Sequence, residues 1–355
     1  MEAVFYKEDD FQLLTILIFK QRFMNKILSL AAVGLLLASC SESEKENIPV
    51  NADAKEVAIV VGSKVEGLAT KADGTTVTAR VLMRDGNAAD WTGWTEKKEN
   101  TLNASQAFEN ATDRANSSVA SFIAGGKLSF NPDLYHDSKT TSTESFLAAV
   151  SPAGEVKDKT VLIATQDGLQ DVMYVAPASV GTKVSHTGPY SLDFKHKTAQ
   201  LKFAIKMTAA SSNGAWVGKK TVALKSITVQ NAGLPTSVDF TNGSLTYTTS
   251  NLSISGISSP AVSTTASSVG QPVMIQDGGV ILNVDITVDG AVKSYNNVKV
   301  LNDSKAPLAT VAGSAHTITL NVQEPTEAAA SESALEVSAT ISDWTLGENG
   351  TADLK

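Results

Sequence analysis

From residue 50 onward, apolar and polar positions alternate with period two in short runs of Val, Ile, Thr, Leu and Phe, bounded by Gly, Asn, Asp and Pro. Successive side chains of a strand point to opposite faces, so this period predicts half-buried β-strands and not helices. In HTITLNV, His316, Ile318, Leu320 and Val322 share one face while Thr317, Thr319 and Asn321 share the other. Leu335, Val337, Ala339 and Ile341 alternate in the same way with Glu336, Ser338, Thr340 and Ser342. Two such runs flank Asp289-Gly290. Both residues tolerate the positive φ of a type I′ turn, so the pattern predicts a hairpin there. Further strands are expected over 55–61, 75–83, 160–165, 171–175, 190–207, 221–229, 236–240, 244–248 and 271–276. So many short strands imply an all-β protein of antiparallel sandwiches.

Within SLDFKHKTAQLKFAIKM, Leu192, Phe194 and His196 share one parity and Leu201, Phe203, Ile205 and Met207 the other. A one-residue phase change needs a bulge or corner near Lys197–Gln200, a natural crossing between sheets. A domain boundary is placed just before it, giving an N-terminal sandwich over 55–188 and a C-terminal one over 189–355. The stretch Glu99–Gly126 lacks alternation and reads as a loop with at most one short helix. Asn251–Val269 and Glu324–Ser333 are Ser, Thr and Ala rich and read as surface connections.

The segment before the strands has a different character. MNKILSLAAVGLLLASC, Met24–Cys40, has a lysine at its front, an apolar run from Ile27 to Leu37 and small residues before the cysteine. This is the layout of a secretory signal, too short for a typical membrane span. Leu37-Ala38-Ser39-Cys40 also resembles the bacterial lipobox, whose cysteine is acylated and becomes the first mature residue. Residues 1–39 then comprise a gene-model extension and the signal 24–39, with Met24 as the expected start. Residues 40–54 begin SESEKEN and form an acidic tether too polar to bury.

Composition narrows the chemistry. Cys40 is the single cysteine of 355 residues, so no intrachain disulfide or multi-thiolate metal site can form. A net charge of -8 argues against nucleic acid, which needs clustered basic residues. After Cys40 the only arginines are Arg80, Arg84 and Arg114. No metalloprotease, nucleophile-elbow or phosphate-loop motif occurs, so neither an enzyme nor a cofactor or metal site is expected. His136-Asp137 reads as a hydrogen-bonded loop pair, and His196 and His316 as partly buried strand histidines. Trp91 and Trp94 in DWTGWT, with Tyr135, could form an aromatic platform for a sugar, or Trp91 and Trp94 could pack the loop onto a sheet.

DFKHKTAQLKFAIKM (Asp193–Met207), AGSAHTITLNV (Ala312–Val322) and ATISDWTLGENG (Ala339–Gly350), in that order behind a lipobox, resemble the fimbrillin family of Bacteroidales, subunits of type V pili. The resemblance implies two transthyretin-like antiparallel β-sandwich domains in tandem and a lipidated precursor carried to the outer membrane. It further implies a structural subunit of a surface fimbria supporting adhesion. A protease removes the first strand, and a strand of the next subunit fills the groove by β-strand addition. The removable strand would be KEVAIVVGSKV, with Val57, Ile59 and Val61 filling the groove. The cut would follow Lys71, or alternatively Arg80, and Leu335, Val337, Ala339 and Ile341 would form the donor strand. The family usually carries arginine where this chain has Lys71. Implied partners are other pilus subunits, the outer membrane through the lipid on Cys40, and a host or bacterial surface ligand. The alternative is an outer-membrane glycan-binding β-sandwich lipoprotein.

Overall fold

In the order of the chain, the strands are β1 Gly62–Val65, β2 Val77–Asp85, β3 Ser117–Phe122, β4 Ser129–Asn131, β5 Ser145–Ser151, β6 Val156–Lys157 and β7 Thr160–Leu162. Next come β8 Met173–Ser179, β9 Ser191–His196, β10 Ala199–Met207, β11 Val222–Asp239, β12 Leu245–Ser253, β13 Ser267–Ile275 and β14 Gly278–Gly279. The last are β15 Ile281–Val288, β16 Ala291–Lys299, β17 Ala309–Thr310, β18 Ala315–Val322, β19 Leu335–Ile341 and β20 Gly350–Thr351. The computed structural model describes residues 56–65, 76–102, 108, 113–137, 139–186, 188, 190–207 and 221–323, and the backbone of β19 and β20. The protein is all-β, and Lys55–Lys355 is one compact unit.

A seven-stranded sheet has the order β1-β9-β8-β5-β2-β3-β4. A five-stranded sheet runs β13-β10-β18-β19-β20, and a six-stranded one runs β16-β15-β11-β7-β6 with β12 also on β11. Most pairings are antiparallel, but β1–β9 and β10–β18 are parallel. The phase change in SLDFKHKTAQLKFAIKM is the passage from β9 in the first sheet to β10 in the second, with Lys197-Thr198 between them. The Asp289-Gly290 turn has φ of 50° and 84° and joins β15 to β16, as a type I′ hairpin requires.

Among the described residues, three apolar cores follow from this arrangement. One gathers Leu201 through Val322, including Phe203, Ile227, Leu282 and Leu320. Another gathers Ile59 through Phe194, including Val81, Phe122, Leu147 and Leu192. The third joins them: Leu82, Val150, Val161, Ile163 and Tyr174 pack with Val238 and Phe240 at the far end of β11. The β6–β7 hairpin adds to the β11 sheet although it lies between β5 and β8 in sequence.

The structure differs from the expected strands where burial or bulges disguise the pattern. In β5, SFLAAVS, Leu147 and Ala149 face one core while Ala148 and Val150 face another, and no alternation survives. The expected loop 99–126 contains β3, whose Ser117 and Ser118 are fully buried polar residues. Ser118 Oγ donates to Pro132 O at 2.7 Å. The expected strands 221–229 and 236–240 are one strand, β11, carried through the turn-like QNAGLP by register shifts, with Asn231 at φ 49°.

Gly154 sits where β7 presses on the loop after β5. A Cβ there would lie 1.9 Å from Leu162 O and 3.1 Å from Val161 Cγ1, and backbone cannot yield as a flexible side chain can. Gly154→Ala is therefore expected to destabilise by about 2 kcal/mol or more. Gly279→Ala, where nothing lies within 4 Å, should be near neutral. Urea unfolding of both variants checks the contrast.

Candidate functional site

The segment from Val57 to Val65 is hydrogen-bonded along two edges. On one, β1 runs parallel to β9, with Gly62 opposite Ser191 and Val65 opposite Phe194, and Gly62 N donates to Tyr190 O at 2.9 Å. On the other, His136 N donates to Val57 O at 3.0 Å and Ile59 N to Leu134 O at 2.8 Å. Leu128 N donates to Val61 O at 3.0 Å, and Ser63 N to Gly126 O at 2.8 Å. Because 126–136 runs through β4, the far edge of the same sheet, this segment closes the sheet on itself.

Its side chains alternate as the pleat demands. Ile59, Val61, Ser63 and Val65 are buried at 3%, 1%, 5% and 9% exposure, while Val60 is 43% exposed and Ala58 and Lys64 are also exposed. Val57 is half-buried. Ile59, Val61 and Val65 belong to the core with Met83, Phe122, Leu134 and Phe194, each contributing on the order of 2 kcal/mol of transfer free energy. Ser63 and Val65 continue the register of Val57, Ile59 and Val61. The polar Ser63 interrupts the apolar pattern and conceals the continuation. Its hydroxyl is satisfied by Gly126 O at 2.8 Å.

The model of the family described as fimbrillin-like matches residues 83–344, about three quarters of the chain. The chain belongs to the fimbrillin-like family. That family is one of structural fimbrial and adhesion subunits, not of enzymes. Among solved structures, the fimbrillin-like chain is similar to a candidate cell-adhesion protein from Bacteroides uniformis ATCC 8492, at 19% identity and TM-score 0.47, covering 82% of this chain and 100% of that one. It is also similar to a fimbrial protein from Bacteroides vulgatus ATCC 8482, at 11% identity and TM-score 0.46, covering 81% and 99%. A fimbrial assembly protein from Parabacteroides distasonis ATCC 8503 is similar at 10% identity and TM-score 0.39, covering 81% and 98%. No curated protein matches the chain.

In this fimbrillin-like chain the Val57–Val65 segment precedes the matched region. Lys71, in the connection from β1 to β2, and Cys40 both lie outside the described residues. Arg80, the alternative cleavage position, requires correction. It lies in β2, which is paired to β3 on one side and β5 on the other, and its Nε donates to Gly154 O at 2.9 Å. A protease needs an extended, unpaired segment, and this one is held on both sides. Leu335–Ile341 pairs antiparallel with β18 of its own chain, from Leu335 opposite Val322 to Ile341 opposite His316. The side chains of Leu335, Val337, Ala339 and Ile341 lie outside the described residues.

The aromatic platform is also corrected at Trp91. Its ring is 2% exposed and meets Trp94 and Phe240 edge-on at centroid distances of 5.8 Å and 5.0 Å. A ring so covered cannot stack on a sugar. Trp94 is half-buried, with Nε1 donating to Met83 O at 2.9 Å.

The His136 and His186 rings lie with centroids 6.1 Å apart, and no cluster of three or more His, Cys, Asp or Glu able to hold a metal occurs among the described residues. His196 Nδ1 meets Asp171 Oδ1 at 2.7 Å. Val311 N donates to His316 Nε2 at 3.2 Å. His136 bonds beyond its sequence neighbours: its Nδ1 lies 3.3 Å from Ser145 Oγ, which donates to Asp85 Oδ1 at 2.8 Å. The order Asp-Ser-His places serine in the middle, so the histidine is not poised between carboxylate and hydroxyl as a nucleophilic triad requires. Ser145 and His136 are also 0% and 1% exposed.

Burial, with smaller contributions from His186 and Arg114, holds the His136 imidazole down to about 4, against 6.5 when free; Asp85 opposes the shift. The native state thus binds fewer protons than the unfolded chain between these values. Stability should fall as pH drops from about 6.5 to about 4 and then level off, by on the order of 3 kcal/mol. Urea midpoints at pH 7 and pH 4.5 should show a larger acid loss for the native chain than for His136→Gln. Equal losses would refute the assignment.

Proposed function

We propose that this chain is a structural subunit of a surface fimbria, assembled when proteolysis removes the Val57–Val65 strand and a strand of another subunit takes its place. The observation that carries the reading is the double-edged pairing of this segment, with Ile59, Val61 and Val65 buried on alternate positions. A strand so held is replaceable by any chain offering the same alternation, because backbone bonds supply affinity and pockets supply register. The connection to β2 carries Lys71, the proposed cleavage position. The precursor is anchored to the outer membrane through a lipid on Cys40, with 40–54 as tether, and the core on each side of Lys197-Thr198 supports two sandwiches in tandem. Leu335–Ile341 is the proposed donor; it must leave β18 to act, which gives assembly an energetic threshold.

Mild trypsin treatment of the mature protein, N-terminal sequencing and electrophoresis without boiling test the reading. A new terminus at Ala72, loss of the Val57–Val65 strand and a ladder of oligomers are expected. A chain cut after Lys71 that stays monomeric, even with other subunits present, would defeat it.

A further inference from the structure

The inward-facing positions of the Val57–Val65 segment are unequal in size. Ile59, Val61 and Val65 are branched and apolar, whereas Ser63 is small and 5% exposed. Ser63 Oγ lies 2.8 Å from Gly126 O and 3.2 Å from Ile123 O, so backbone forms the wall that it meets. A longer side chain there would run into carbonyls that cannot swing aside. From Ile59 to Val65 the inward positions thus run large, large, small, large.

The other face carries a polar mark. Lys64 stands opposite Asp193 on the parallel neighbour β9, and Asp193 Oδ1 is buried with no hydrogen-bond partner among the described residues. A strand that takes the place of the segment meets that carboxylate at the Lys64 position.

We propose that the vacated groove takes Leu335–Ile341 of a second copy of this chain, in the direction of the removed strand and with Ala339 at the Ser63 position. The inference rests on the strand-exchange reading above and adds the partner and the register. Leu335, Val337, Ala339 and Ile341 repeat the series large, large, small, large at the positions of Ile59, Val61, Ser63 and Val65. Main-chain bonds keep their sense: Leu335 N replaces Ile59 N on Leu134 O, Ser338 N replaces Gly62 N on Tyr190 O, and Ala339 N replaces Ser63 N on Gly126 O. Thr340 takes the Lys64 position, where its hydroxyl can donate to the Asp193 carboxylate. Ser338 replaces Gly62, where a Cβ meets nothing nearer than Tyr190 O at 3.7 Å, an ordinary contact. A slip of two residues either way puts Ile341 or Val337 against the Ile123 and Gly126 carbonyls. Reversing the strand about Ala339 puts Asp343 at the buried Ile59 position.

The test uses the full mature chain carrying Cys40→Ser, cut with trypsin. With no other substitution it should form a ladder by itself. Adding Asp193→Cys and Thr340→Cys together should make the ladder covalent in non-reducing electrophoresis, because opposed residues of adjacent strands lie within disulfide reach. Asp193→Cys with Ser342→Cys should leave it non-covalent. Ala339→Leu should lower the yield of oligomers about tenfold or more. Oligomers that form only when other subunits are added overturn the second copy and leave strand exchange standing, whereas no oligomers under either condition remove the strand-exchange reading and this inference with it. Cross-linking through Ser342→Cys in place of Thr340→Cys, or a full ladder from Ala339→Leu, overturns the register.

Discussion

Val61→Asp is expected to cost about 4 kcal/mol or more of stability and to release the segment that closes the first sheet. Val61 is 1% exposed, in a core with Leu134, Leu192 and Phe194. A carboxylate there has no charged partner on the same face of the segment, whose inward neighbours are Ile59 and Ser63. It must be buried charged, be protonated at a cost, or pull the strand outward. The third route sacrifices the bonds to Leu134, Tyr190 and Gly126 together, because the segment is held along both edges. Val60→Asp is the matched control: at 43% exposure it should change stability by no more than about 0.5 kcal/mol. Urea unfolding measures the difference, and hydrogen exchange at the Ile59, Gly62 and Ser63 amides reports whether the strand itself is freed. Equal stability of the two variants would show that the segment is not integral to the core.

Phe240→Ala should cost about 3–5 kcal/mol and loosen the two halves from each other. Phe240 is fully buried at the end of β11, and its ring receives Trp91 and Trp94 from the loop after β2, each at 5.0 Å. The Tyr174 hydroxyl donates to its carbonyl at 3.3 Å, and burial pushes that phenol up to about 12. Truncation leaves a cavity bounded by residues from both halves, and neither can collapse without moving a sheet. In the native chain, unfolding followed by tryptophan fluorescence and by far-UV circular dichroism should coincide. In Phe240→Ala the midpoints should fall and separate, the mark of lost two-state behaviour. A shift below about 1 kcal/mol would remove the junction core as a source of cohesion.

How far the chain could be read depended on how many faces of each strand are buried. β15 and β18 show their apolar parity openly, and the Asp289-Gly290 turn declares its hairpin through backbone preference alone. β5 carries no such signal because both faces meet a core. β3 is disguised by buried serines that find carbonyl and carboxylate partners distant in sequence. At the candidate site, Val57, Ile59 and Val61 are legible as an alternating run, but their double pairing is not, since it depends on where 126–136 and β9 arrive. Trp91 illustrates the opposite error. DWTGWT reads equally as platform or packing, and only the arrival of Phe240, more than a hundred residues on, buries the ring.

The sequence by itself determined the all-β class, the parity of the closing segment, the type I′ hairpin and the crossing near Lys197, because each follows from local alternation or backbone preference. Only the tertiary structure decided that this segment seals a sheet along two edges and that a hairpin from one half completes the sheet of the other. It also decided that the Ser63 position abuts the Ile123 and Gly126 carbonyls. Those outcomes rest on contacts between residues far apart in the chain, and period-two patterning specifies which face of a strand is apolar without specifying what will cover it.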